Sequence, residues 1–202
     1  MVQALEAYPE VLRGVAVVAA DTSPDALYDL HASGVRDIRL NLAGVSHVIP
    51  EWTQADRVFQ TLHELGWHVE VHTDQGALPH VLRQLPADIP LVVDHMAKPA
   101  QARARDASIQ ALVHRAANTP TYVKLSGAYR LGAVNAAALA HLWCQALGAQ
   151  ALLWGSDWPC TNYEHLANYE ALFDAVHTWV GSEHMDQVLR LNPERLYGFQ
   201  AS

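Results

Sequence analysis

Short apolar runs recur along the chain, and stretches with helical spacing lie between them. The six strand-like runs occupy 13–20, 36–43, 67–74, 90–97, 121–127 and 151–157. The helical stretches occupy 23–33, 53–65, 107–117, 134–147, 163–179 and 183–191, and helix starts are marked by Ser23 and Thr53. This alternation predicts a parallel sheet of βα units, and no composition break marks a second domain.

The strand-like runs have one apolar and one polar face. In the run 36–43, three aliphatic residues alternate with Asp37, Arg39 and Asn41, and in 67–74 two valines alternate with two histidines and a glutamate. A doubly wound sheet is normally apolar on both faces, because helices cover both. A sheet with one polar face therefore predicts an α/β barrel of the (β/α)₈ TIM type, with a site inside it.

Polar residues also mark the ends of these runs, where barrels of this type place their chemistry. The strand ends carry Arg39, Asn41, His72, Asp74, His95, Ser126 and Asp157. We expect His72, His95 and Asp157 to converge on one mouth of the barrel. Two histidines and an aspartate suit either a divalent metal or the activation of water.

Each of these residues also has a structural interpretation. Asp157 could cap the following helix, and His95 could be a hydrogen-bonded core histidine. Glu70 and Lys124 are more typical of a buried ion pair in the barrel wall than of catalysis. Core packing is the corresponding alternative for Tyr129 and Trp158. The functional hypothesis depends on the coincidence of three such residues at equivalent strand ends.

Composition narrows the class of partner. Half of the 202 residues are apolar, the net charge is -8, and no block of Lys or Arg occurs, so we expect a small-molecule substrate and no nucleic acid. No apolar stretch approaches the length that spans a membrane, and the N-terminus makes a poor signal peptide. Two cysteines without CxxC spacing suit the cytoplasm. A homo-oligomer remains an open alternative.

The sequence resembles the amidohydrolase superfamily, in the amidohydrolase-2 branch of 2-pyrone-4,6-dicarboxylate lactonase and L-fuconolactone hydrolase. The matching stretches occur in family order over nearly the whole chain: RGVAVV, GVRDIRLNL, VEVHTD, VVDHMAKP, YVKLSGAYR, LLWGSDWPC and NPERLYGF. The resemblance implies a (β/α)₈ barrel in which water attacks a cyclic ester.

The resemblance also implies a role for each matched residue. Asp157 would take a proton from water, with His95 and His72 as the two strand-end histidines beside it. Arg39 and Arg130 would hold a substrate carboxylate or the developing oxyanion. The remaining substrate-binding residues would be Asn41, Ser126, Tyr129 and Trp158.

This chain departs from the family at its N-terminus. Members begin with a strand bearing His-x-His, and no such motif occurs in the 202 residues. We therefore expect residues 1–202 to form a single, N-terminally truncated barrel domain with strands three to eight. The chain would then be a fragment, the product of an internal start, or a shortened paralogue. A gap should lie between the strand near Val15 and the strand ending at Asp157, left open or filled by another chain.

Three functional hypotheses follow. The first is a hydrolase that opens a carboxylated or sugar-derived lactone without a cofactor. Arg39 and Arg130 favour this hypothesis because they could hold a substrate anion. The second is a metal-dependent amidohydrolase or decarboxylase, with a divalent metal such as zinc on His72, His95 and Asp157. The third is an inactive truncated remnant.

Overall fold

A computed structural model describes residues 1–199. Six parallel strands form one sheet in sequence order, β1 to β6, and each strand pairs with the next along the chain. Their bounds are β1 Gly14–Ala16, β2 Val35–Asn41, β3 His68–His72, β4 Leu91–Val93, β5 Thr121–Leu125 and β6 Leu152–Trp154. All six predicted strands are confirmed.

Eight α-helices accompany the sheet in the described residues. Their bounds are α1 Val2–Ala7, α2 Pro24–Ala32, α3 Asp56–Leu65, α4 Leu78–Leu82, α5 Ala107–Ala116, α6 Ala136–Leu147, α7 Tyr169–Val180 and α8 Asn192–Tyr197. Ser23 caps α2 as predicted, since its hydroxyl accepts from the backbone N–H of Ala26. Asn135 and Asn168 cap α6 and α7 in the same way.

Three short helices were not predicted. The helices α1, α4 and α8 have only five or six residues, too few for a periodic pattern to stand out. Thr53 lies in a 3₁₀ turn, Trp52–Gln54, that precedes α3, so the α-helix begins later than its start signal. The predicted stretch 183–191 contains a 3₁₀ turn and a π-helix, Gln187–Leu191.

The sheet curls into an incomplete barrel. One face of the strands packs against the helices through buried aliphatic residues such as Ile38, Val69 and Val123, and the opposite face carries the polar set. Within residues 1–199, β1 pairs only with β2 and β6 only with β5, so no hydrogen bonds close the ring. This matches the predicted gap between the first and last strands.

No helix within the described residues combines the length and the apolar character that a membrane span requires.

Candidate active site

The predicted strand-end residues lie together at the carboxyl edge of the sheet. Arg39 is in β2 and His72 ends β3, while His95, Ser126 and Asp157 follow β4, β5 and β6. Contacts connect all five: Arg39 to His72, His72 to His95, and His95 to both Ser126 and Asp157. The parallel order of the strands produces this cluster, because equivalent strand ends meet at one edge.

A four-residue ion network lies beneath the cluster on the polar face. Asp94 Oδ2 accepts from Arg39 Nη2 at 2.6 Å, and Asp94 Oδ1 lies 3.4 Å from Lys124 Nζ. Glu70 lies 3.2 Å from Arg39 and 2.5 Å from Lys124. Burial alone would raise the pKa of Asp94, but the charges of Lys124 and Arg39 lower it below its ordinary value. The expected pair of Glu70 and Lys124 is thus half of a four-residue network, in which burial and the charge of Asp94 raise the pKa of Glu70 above its ordinary value.

The two histidines of the cluster are neutral near pH 7. Their rings meet edge to face with centroids 4.5 Å apart. Burial lowers the pKa of His72 to about 3, with a further contribution from His95, and burial lowers the pKa of His95 to about 4. His72 Nδ1 lies 3.1 Å from Asn41 Oδ1, whereas His72 Nε2 is buried and has no hydrogen-bond partner within residues 1–199. These imidazoles can hydrogen bond to a substrate without adding charge.

His95 begins an unusual backbone turn. Four consecutive residues have positive φ angles: His95 at 49°, Met96 at 55°, Ala97 at 64° and Lys98 at 38°. Left-handed backbone costs about 1–2 kcal/mol per residue without glycine, so surrounding contacts must compensate. The buried indole of Trp143 donates to the carbonyl of Met96 at 3.0 Å. Nothing in the sequence of this segment indicates the turn, because it contains no glycine.

Asp157 is held on one oxygen and free on the other. Its Oδ2 accepts from the Tyr129 hydroxyl at 2.7 Å and from Arg130 Nε at 2.5 Å. Its Oδ1 lies 3.9 Å from His95 Nε2 and accepts no hydrogen bond from the described residues. Burial and the hydrogen bonds to Cys160 and Asp157 raise the pKa of Tyr129, so the phenol keeps its proton and donates. Asp157 does not cap a helix, since α7 begins twelve residues later and is capped by Asn168.

Arg130 has contacts that the sequence did not indicate. Besides Asp157, it donates to the carbonyl of Thr161 at 3.1 Å. Its guanidinium carbon lies 4.8 Å from the ring centroid of Tyr163 and 5.5 Å from that of Tyr129. Arg130, the cation expected to hold a substrate carboxylate, therefore also contacts Asp157, the expected base.

The other expected residues differ in their placement. Asn41 and Ser126 contact the histidines directly. Trp158 is 79% exposed in the loop after Asp157, so it is not a core aromatic. Asp94 and Tyr163 were missed as members of the site. Asp94 directly precedes His95, which was a usable signal, but Tyr163 lies in a loop without periodicity.

The donor set fits a metal ion poorly. Ligand atoms of His72, Asp94 and His95 lie within 4.8 Å of one another, so this group could hold an ion by distance alone. However, Asp94 already accepts from Arg39 and lies beside Lys124, and a divalent cation would have to displace them. A second group, Asp37, His68 and Glu70, lies one layer lower on the polar face. The upper group therefore offers a metal two free imidazoles at most.

This combination of an incomplete α/β barrel with strand-end histidines and an aspartate defines the amidohydrolase class. The family model described as amidohydrolase matches residues 1–199. The chain therefore belongs to the amidohydrolase family and is an enzyme of the hydrolase kind.

Individual relatives support this assignment. The chain is 29% identical over 219 residues to a 2-pyrone-4,6-dicarboxylate hydrolase of Comamonas testosteroni, covering 98% of this chain and 70% of that protein. A crystal structure of a probable 2-pyrone-4,6-dicarboxylic acid hydrolase from Acinetobacter baumannii, with citric acid bound, has a TM-score of 0.84 and 29% identity, covering 98% of this chain and 78% of that one.

A more distant structure shares the fold. An amidohydrolase from Burkholderia multivorans with bound zinc has a TM-score of 0.70 and 23% identity, covering 98% of this chain and 78% of that one. At this identity the similarity concerns the fold alone.

Proposed function

We propose that this protein hydrolyses the ester bond of a carboxylated lactone, with Asp157 as the base that activates water. The observation that carries the proposal is the free Oδ1 of Asp157, which faces a neutral histidine across 3.9 Å. In the proposed mechanism the attacking water lies within hydrogen-bonding distance of Oδ1. Tyr129 and Arg130 hold the other oxygen and so fix the direction of the free one.

The reaction then has two steps. Asp157 takes a proton from water while the water oxygen bonds to the carbonyl carbon of the lactone. The tetrahedral intermediate breaks its bond to the ring oxygen, which recovers the proton from Asp157. The product is an open chain with a hydroxyl group and a new carboxylic acid, which loses its remaining proton to solvent, and the aspartate returns to its ionised form.

Positive charge at the site supports a carboxylated substrate. Arg39 and Arg130 belong to the cluster, and Lys98 lies in the turn after His95. Arg130 contacts Asp157 through Nε, so a substrate carboxylate beside Asp157 would meet the same guanidinium group. The named relatives act on a dicarboxylate, and the structure from A. baumannii contains citric acid, which has three carboxyl groups.

A metal-dependent hydrolase is the second candidate. Its support is Nε2 of His72, which is buried and has no hydrogen-bond partner among residues 1–199. The involvement of Asp94 with Arg39 and Lys124 argues against it, and we assign no reaction step to a metal.

A lactone assay with a chelator tests the proposal. We expect purified protein to open 2-pyrone-4,6-dicarboxylate or a related carboxylated lactone, at a rate that EDTA leaves unchanged and added zinc does not increase. Activity that EDTA abolishes and zinc restores would support the metal-dependent candidate instead. No ring opening on any lactone would contradict the proposal.

A further inference from the structure

The hydroxyl of Ser126 contacts His95 at two points. Ser126 Oγ lies 3.0 Å from His95 Nδ1 and accepts from the backbone N–H of His95 at 3.3 Å. Ser126 is 5% exposed and His95 is 3% exposed, so water has little access to either group. Because Ser126 follows β5 and His95 follows β4, the contact joins two neighbouring strand ends.

Counting hydrogens decides which atom donates between these groups. A serine hydroxyl has one hydrogen to donate and two lone pairs that accept. If His95 Nδ1 carried the ring proton, Ser126 would accept twice, and its own hydrogen would have no acceptor among the described residues. Burying an unused donor is unfavourable. The hydroxyl therefore donates to Nδ1, and the ring proton lies on Nε2.

The residue after Ser126 keeps the ring in this orientation. Gly127 has a φ of +56°, and a Cβ built there would lie 2.6 Å from His95 Nδ1. Only glycine allows the backbone to approach the imidazole this closely. The ring also contacts His72, so the imidazole packs against the end of β3 as well as the end of β5.

We propose that Ser126 is a positioning residue that fixes His95 as the tautomer protonated on Nε2, so that this N–H donates to the lactone carbonyl oxygen. The hydrogen bond to the lactone rests on the proposed function, whereas the assignment of the His95 tautomer is independent of it. The 3.9 Å between Nε2 and Asp157 Oδ1 is too long for a direct hydrogen bond, so the Nε2 proton is not used by Asp157. In the other tautomer, a lone pair would face the negative charge that develops on the carbonyl oxygen.

Nuclear magnetic resonance tests the tautomer without any substrate. In uniformly ¹⁵N-labelled protein at neutral pH, long-range ¹H–¹⁵N correlations distinguish the two ring nitrogens, and His95→Gln assigns the signals. We expect wild type to show a protonated Nε2 and a bare Nδ1. Ser126→Thr should keep the Nδ1 shift, because it keeps the hydroxyl, and Ser126→Ala should move it. A protonated Nδ1 in wild type, or an unchanged Nδ1 shift in Ser126→Ala, would overturn the proposal.

Kinetics on a lactone that the protein hydrolyses test whether Ser126 contributes to catalysis. Ser126→Ala should lower kcat roughly tenfold or more and change KM less than about twofold, since the affected hydrogen bond strengthens in the transition state. Ser126→Thr should recover most of the rate. Ser108→Ala, at a buried serine of α5, is the matched control. Equal kcat in Ser126→Ala and Ser108→Ala would contradict the role. If wild type opens no lactone, the proposed function fails, but the resonance experiment still decides the tautomer.

Discussion

At the residue scale, the site depends on how neighbouring groups hold each functional atom. Asp157 could be selected from the sequence because it follows a strand end in the GSDWP stretch. Its partners could not, since Tyr129 and Arg130 reach it through the irregular segment after β5. Strand parity predicts which side chains share a face, but loop geometry decides which atoms touch.

The lowered pKa values of the two histidines predict a pH profile. Because the pKa values of His72 and His95 are about 3 and 4, both rings are neutral well below the ordinary value of 6.5. We expect kcat/KM to show no histidine inflection near 6.5 and to fall as the pH approaches about 4. An inflection near 6.5 that His95→Gln removes would contradict this expectation.

The lowered pKa values of His72 and His95 also give the sign of the change in folding stability with pH. The unfolded chain binds protons at these histidines below about 6.5, whereas the folded chain does not until about 3 to 4. Their contribution therefore makes the free energy of unfolding decrease as the pH falls below about 6.5. Urea unfolding of wild type and His95→Gln at several pH values measures this contribution.

At the element scale, the left-handed turn after β4 is the feature that places His95. Its four residues adopt unfavourable backbone angles, and two of them, Met96 and Ala97, have buried side chains. The hydrogen bond from Trp143 links the turn to α6. Helix propensity and strand periodicity describe regular elements, so neither could predict a turn whose stability comes from a residue 47 positions away.

Replacing Trp143 tests the hydrogen bond that links the turn to α6. Trp143→Phe removes the donor and leaves the Met96 carbonyl buried without its partner, so we expect a loss of about 2–4 kcal/mol in urea unfolding. We also expect a lower kcat, because His95 begins the turn. Trp179→Phe is the control, since Trp179 is buried in α7 without a hydrogen bond from its indole among the described residues. Equal losses in the two variants would show that the hydrogen bond does not matter.

At the scale of the whole molecule, most of the fold could be predicted from the sequence. Alternating polar and apolar positions predicted the strands and their polar face, because strand geometry follows directly from residue parity. The open side between β1 and β6 was predicted from the family resemblance, because the first two strands of the family have no counterpart in this sequence. The four-residue ion network emerged only from the structure. It depends on the register of neighbouring strands, which aligns Arg39 with Glu70. Register is set by tertiary packing and does not appear in single-strand patterns.

Removing the charge of Asp157 is the most direct test of the proposed mechanism, because that mechanism requires this carboxylate to activate water. Asp157→Asn keeps the shape of the side chain but removes the base. We expect it to lower kcat on the lactone substrate roughly a hundredfold or more. Asp174→Asn, on the exposed side of α7, should leave kcat unchanged. If Asp157→Asn retained full kcat while chelators abolished activity, the aspartate mechanism would be wrong and the metal-dependent candidate would be supported instead.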